Sequence, residues 1–149
     1  MQSQEVEAFR VVATVYCDFI DSCRIFENEE SFRKLLRIIS QLYTNALDLP
    51  EVELEEEYLT DVDFPLPEVD VKHHNVYTEI FDPYHDETPV NGCLDDDIID
   101  IYSDIKKGHI LYEQGQDVKA VWEWRFGLEV HWGEHATSAI RALHSIKFL

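Results

Sequence analysis

Glu29-Glu-Ser-Phe-Arg-Lys-Leu-Leu-Arg-Ile-Ile-Ser-Gln-Leu-Tyr-Thr-Asn-Ala46 is the stretch that decides the fold. Phe32, Leu35, Leu36, Ile39, Leu42, Tyr43 and Ala46 recur at intervals of three and four, the spacing that gathers apolar side chains on one side of an α-helix. Glu29 and Glu30 put negative charge where a helix N-terminus favours it, Ser31 offers a capping hydroxyl, and Pro50 ends the element.

The same period extends outward in both directions. Upstream, residues 3–26 carry Val6, Phe9, Ala13, Tyr16, Cys17, Ile20 and Ile25 as one stripe, widened by Val12, Val15, Phe19 and Cys23. Downstream lies an acidic connector, about 48–67, bracketed by prolines and carrying at most one helical turn around 55–59. Pro67 then fits the first turn of a modest third helix through Val69, His73, Val76 and Ile80. Two prolines and Asn91-Gly92 make about 82–92 a polar loop. A fourth helix runs through Leu94, Ile98, Ile101, Ile105 and Tyr112 towards Gly115, with Asp97, Asp100 and Asp104 on its other face. Val121, Trp124, Leu128, Trp132, Ala139 and Leu143 predict a last helix over 118–146. Gly127 and Gly133 inside it each cost about 1 kcal/mol against alanine, so they imply a bend or another helix passing close. Nothing alternates at period two for long enough to demand a sheet, and no segment repeats. The expectation is an all-α fold, a single compact bundle of four to five helices over residues 1–149.

Composition limits the function. Of 149 residues, 31 are acidic and 12 basic, a net charge of −19. Phosphate backbones and anionic membranes are repelled by such a chain, which leaves no nucleic acid and no membrane among its expected partners. A basic protein surface, a second copy of the chain or a cation fits better. Cys17, Cys23 and Cys93 are odd in number and at no ligand spacing, no secretory signal stands at the N-terminus, and a cytoplasmic protein is expected.

His131-Trp-Gly-Glu-His135 is the sharpest chemical pattern. One turn apart on a helix, His131 and His135 can both reach a Zn²⁺ or another divalent metal, and Glu134 can act as base on a bound water. Proteases built on this spacing take a third ligand far downstream, whereas the residues after His135 include His144 and Ser145 but no carboxylate. The third ligand must therefore come from upstream: Asp100 on the acidic helix, or Asp82, His85 or Asp86 in the polar loop. That loop, with Glu87, has a simpler use in capping its own backbone. The run Asp95 to Asp97 already has a structural reason in the helix dipole. No G-x-S-x-G or phosphate-binding glycine loop is present, and Cys93 is crowded by carboxylates that oppose its ionisation.

Asp100-Ile-Tyr-Ser-Asp-Ile-Lys-Lys107, Phe126-Gly-Leu-Glu-Val-His-Trp-Gly-Glu-His135 and Ala139-Ile-Arg-Ala-Leu-His144 together resemble a family of small bacterial proteins, domain of unknown function 5063. The resemblance is most specific over the C-terminal third, and Glu56-Glu-Tyr-Leu59 also fits the family's acidic middle. It implies a compact helical, cytoplasmic bacterial protein and brings no activity, cofactor or catalytic residue. Without a complete catalytic constellation, the first expectation is a non-enzymatic protein-interaction or regulatory domain. The alternative is a metal-binding protein or metal-dependent hydrolase using His131, Glu134 and His135.

Overall fold

A computed structural model of the chain describes residues 3–54 and 62–148. Five helices build the body: α1 (Gln4–Ser22), α2 (Glu29–Ala46), α3 (Leu94–Glu113), α4 (Asp117–Val130) and α5 (Trp132–His144). Ser3 Oγ accepts from Val6 N–H at 3.2 Å to start α1, and Asn28 Oδ1 accepts from Ser31 N–H at 2.8 Å to start α2. Asn28, one residue before the expected acidic start, is thus the cap of the deciding helix, and Ser31 is the group it satisfies.

The apolar stripes converge on one core. α3 lies against α1, α4 and α5, while α2 covers α1 and α5. Trp124 and Trp132 are fully buried and linked, with Trp132 Nε1–H donating to the Trp124 carbonyl at 2.8 Å and Trp124 Nε1–H to the Ile105 carbonyl at 3.1 Å. Truncating either ring to alanine costs about 3–5 kcal/mol. No described helix is long and apolar enough to cross a membrane.

Four sequence expectations are corrected. The third helix is replaced by a 3-10 turn, Lys72–His74, and a strand β1 (Val76–Glu79), which pairs antiparallel with β2 (Val90–Cys93). Four-residue strands whose half-buried positions are Tyr77 and Glu79 in β1 and Gly92 and Cys93 in β2 give no apolar alternation to detect. The polar loop is accordingly shorter, residues 80–89, and Asn91-Gly92 lies in a strand instead of a turn. Gly92 is needed there because Tyr77, its cross-strand partner, lays its ring over it: a Cβ on Gly92 would stand 2.6 Å from Tyr77 Cζ.

The expected long last helix is broken at His131, whose φ of −147° and ψ of −79° are not helical. Both glycines take part. Gly127 accommodates the Trp132 ring, and a Cβ on Gly133 would fall 2.0 Å from the Leu128 carbonyl oxygen. α1 also ends earlier than its stripe suggests. Residues after Ser22 turn into an extended segment in which Phe26 N–H donates to the Asp70 carbonyl and Asp70 N–H to the Arg24 carbonyl, both at 2.8 Å. The described parts of the acidic connector, residues 48–54 and 62–67, carry neither helix nor strand, and the turn expected around 55–59 lies outside the described residues.

Candidate functional site

β2 runs into α3 without an intervening residue, and Asn75 secures the joint. Its carbonyl accepts from Leu94 N–H at 2.8 Å and its side chain from Asp95 N–H at 2.9 Å, supplying the cap that Cys93 cannot. This fixes the rotation of α3. Asp97, Asp100 and Asp104, at i, i+3 and i+7, all reach imidazoles at the junction of α4 and α5.

His131 Nδ1 lies 2.8 Å from Asp104 Oδ2, and His135 Nδ1 lies 2.7 Å from Asp97 Oδ1. His135 Nε2 is 3.2 Å from Asp100 Oδ2. Asp97 is 4% exposed, the one buried charged residue among those described, and its second oxygen accepts from the Tyr77 hydroxyl. Burial pushes the Asp97 carboxyl above its ordinary value, against the hydrogen bonds from His135 and Tyr77. Asp104 is raised by burial in the same way, against His131. His135 is raised, chiefly by its hydrogen bond to Asp97 and against its own burial. Tyr77 is held protonated by burial and by Asp97.

One donor atom each from Asp100, His131 and His135 lies within 4.8 Å of the others. Of the residues singled out from the sequence, these three come together. Glu134 borders the groove beside them. Asp82 and His85 do not join that set: Asp82 Oδ2 pairs with His85 Nδ1 at 2.6 Å, and with Glu87 they make a separate exposed group at the hairpin tip. Asp82 Oδ1 also accepts from Tyr84 N–H at 2.9 Å, a turn-stabilising contact of the simpler kind. Asp86 is exposed and belongs to neither group. Cys93 is raised by burial and then by Asp96, Asp95 and Asp97, so its thiol stays protonated.

Sequence reasoning treated Asp97 and Asp104 as surface or dipole acids, and passed over Tyr77, Glu79 and Ser138. The signal for the first two was present, since carboxylates at i, i+3 and i+7 match an i, i+4 imidazole pair on a neighbouring rod. The hairpin residues gave no such signal.

The hairpin and α5 enclose a groove of three adjoining cavities, of about 490, 620 and 550 Å³. All three share Glu79 and Ser138, whose Oγ donates to Glu79 Oε1 at 2.7 Å. The first cavity reaches Asp97, Asp100 and His135; the second is lined by Phe81 and Arg141; the third holds His73, His74, Arg141 and Lys147. The groove thus passes from an acidic, imidazole-bearing end to a basic one. Each cavity has the volume of a small-molecule site.

The profile of the family described as Domain of unknown function (DUF5063) matches residues 1–149, a wider span than the C-terminal third on which the likeness is most specific. No curated protein matches the chain. Among solved structures, the crystal structure of protein BF1032 from Bacteroides fragilis is similar over 98% of this chain and 94% of that one, at 21% identity and a TM-score of 0.73. At that identity the likeness is one of fold.

Proposed function

The chain belongs to the DUF5063 family, a domain of unknown function, and we propose that this member binds a divalent transition metal, with Zn²⁺ the reference ion, through Asp100, His131 and His135. One observation carries the proposal: each imidazole spends its Nδ1 on a carboxylate, Asp104 for His131 and Asp97 for His135. A neutral imidazole that donates from Nδ1 keeps its lone pair on Nε2, and metal-binding histidines are commonly held in this way. The donor set of two imidazoles and a carboxylate suits Zn²⁺ and its neighbours.

Three protein ligands leave a Zn²⁺ site one short of four, so a water or substrate atom completes it from the groove. A metal held there would supply the chemistry of a metal-dependent hydrolase, a water of lowered pKa, and Glu134, which lines the same cavity as Asp100 and His135, is the carboxylate that would take its proton. Arg141 lies six residues beyond His135, about 9 Å along α5. Its guanidinium has no carboxylate partner among the described residues, which favours a small substrate with an anionic group at that end.

Elemental analysis and thermal melting test this together. One equivalent of metal per chain is expected, with a melting temperature raised by added Zn²⁺ and no such rise in His135→Ala. Untagged protein carrying no stoichiometric metal, and melting at the same temperature with and without Zn²⁺, sinks the proposal. The interaction-domain reading also has an observation in its favour, an apolar row on the outside of α4.

A further inference from the structure

α4 buries Ala120, Val121, Trp124 and Gly127 against the rest of the protein. On its opposite side, Val118, Trp122, Phe126 and Val130 follow one another at steps of four, a ridge of the kind through which helices pack. Val118, Phe126 and Val130 are 41%, 46% and 58% exposed, and the Trp122 and Phe126 rings stack at 4.7 Å. Twelve helical steps separate Val118 from Val130, which makes this ridge about 18 Å long.

The order of the row is close to palindromic. Read backwards it is unchanged in kind: a valine at each end, two aromatic rings between. Lys119 and Glu129 are placed symmetrically within it and carry opposite charges. We propose that α4 is the interface of a homodimer, two copies crossing antiparallel about a two-fold axis level with Trp124. Val118 of one protomer meets Val130 of its partner, Trp122 meets Phe126, and Lys119 meets Glu129, each contact occurring twice. A two-fold interface demands this self-complementarity, and an unrelated partner does not.

The charge balance of α4 supports a second copy. Two chains of net charge −19 repel each other, so they meet most easily where the local excess of negative charge is small. α4 has Lys119 and Arg125 against Asp117, Glu123 and Glu129, a small excess of negative charge, while α3 has Asp95, Asp96, Asp97, Asp100, Asp104 and Glu113 against Lys106 and Lys107, a large one. One helix from each side is a small interface, of the class that gives transient association. The expected dimer therefore forms at micromolar concentrations and tightens as salt screens the overall repulsion.

Sedimentation of the full chain over a concentration series, at about 0.05 and about 0.5 M NaCl, tests the proposal independently of metal. Phe126→Glu is expected to weaken association at least about tenfold. Glu129→Lys sets lysine against lysine across the axis and weakens it, and Lys119→Glu with Glu129→Lys restores it by exchanging the pair. Each variant is accepted only with a melting temperature close to that of the parent. A monomer at every concentration and both salts overturns the inference, as does a dimer indifferent to Phe126→Glu or a double exchange no better than Glu129→Lys alone.

Discussion

Asp97→Asn is the most discriminating substitution at the site, because it keeps the side-chain volume and removes the charge. Asp97 accepts from His135 Nδ1 at 2.7 Å and from the Tyr77 hydroxyl, with its side chain 6% exposed. A hydrogen bond to a charged group in such a setting contributes about 1.5–3 kcal/mol. At tenfold per 1.4 kcal/mol, losing it lowers Zn²⁺ affinity by about 10–100-fold, the range found when the carboxylate behind a metal-bound histidine is removed. The amide can also turn its NH₂ towards Nδ1, which moves the imidazole proton to Nε2 and blocks ligation. Folding should not suffer in proportion, since burial already disfavours the ionised carboxylate. Competition titration against a chromophoric Zn²⁺ chelator measures the affinity, with His135→Ala as the siteless limit, and urea unfolding of metal-free protein measures the stability. An affinity within twofold of the parent, in a variant that folds normally, refutes the proposed support of His135 by Asp97.

His135 also makes stability pH-dependent when metal is absent. Its pKa is raised from 6.5 on folding, so the folded state binds the proton more tightly; the contribution is complete below the unfolded value and is lost as pH rises through the folded one. The stability difference between the metal-free parent and His135→Gln should be largest below pH 6.5 and shrink above it, and urea midpoints across that range check this. Cys17 is 1% exposed and its thiol is pushed up to about 12 by burial, so in a timed thiol-reagent assay at pH 8 it should react only as fast as the chain unfolds, after Cys23 and Cys93. Gly133→Ala drives a methyl group against the Leu128 carbonyl, a backbone atom that cannot swing aside, and should lower the urea-derived stability by about 1–3 kcal/mol.

How far the fold was legible depends on what each segment does with its side chains. α2 was read nearly to its ends because it buries one face and shows the other to water, so its period survives in the sequence. The helix over 118–146 was legible as apolar but not as two pieces. Its break comes from Trp132 filling the space over Gly127 and from Gly133 against Leu128, contacts that no local pattern announces beyond the two glycines themselves. The hairpin was missed because its strands are four residues long and Tyr77 and Glu79 serve the groove. At the site, the His131 and His135 pair could be reasoned from spacing, whereas Asp100 stood as one upstream candidate beside Asp82, His85 and Asp86. The burial of Asp97 could not, since its neighbours Asp95 and Asp96 offered a sufficient account of all three in the helix dipole.

The unlinked joint between β2 and α3 divides the hairpin into two mechanical parts. Its root, from Asn75 to Tyr77 and from Gly92 to Leu94, is bolted to the helix start and to Asp97. The ten residues 80–89 beyond it contribute Phe81, Pro83 and Pro89 to the groove wall, and the contacts that hold His131 and His135 come from α3 instead. Exchanging or lengthening the rim of the groove therefore leaves in place the contacts by which Asn75 and Tyr77 hold the start of α3, so the wall can vary in shape without moving that helix.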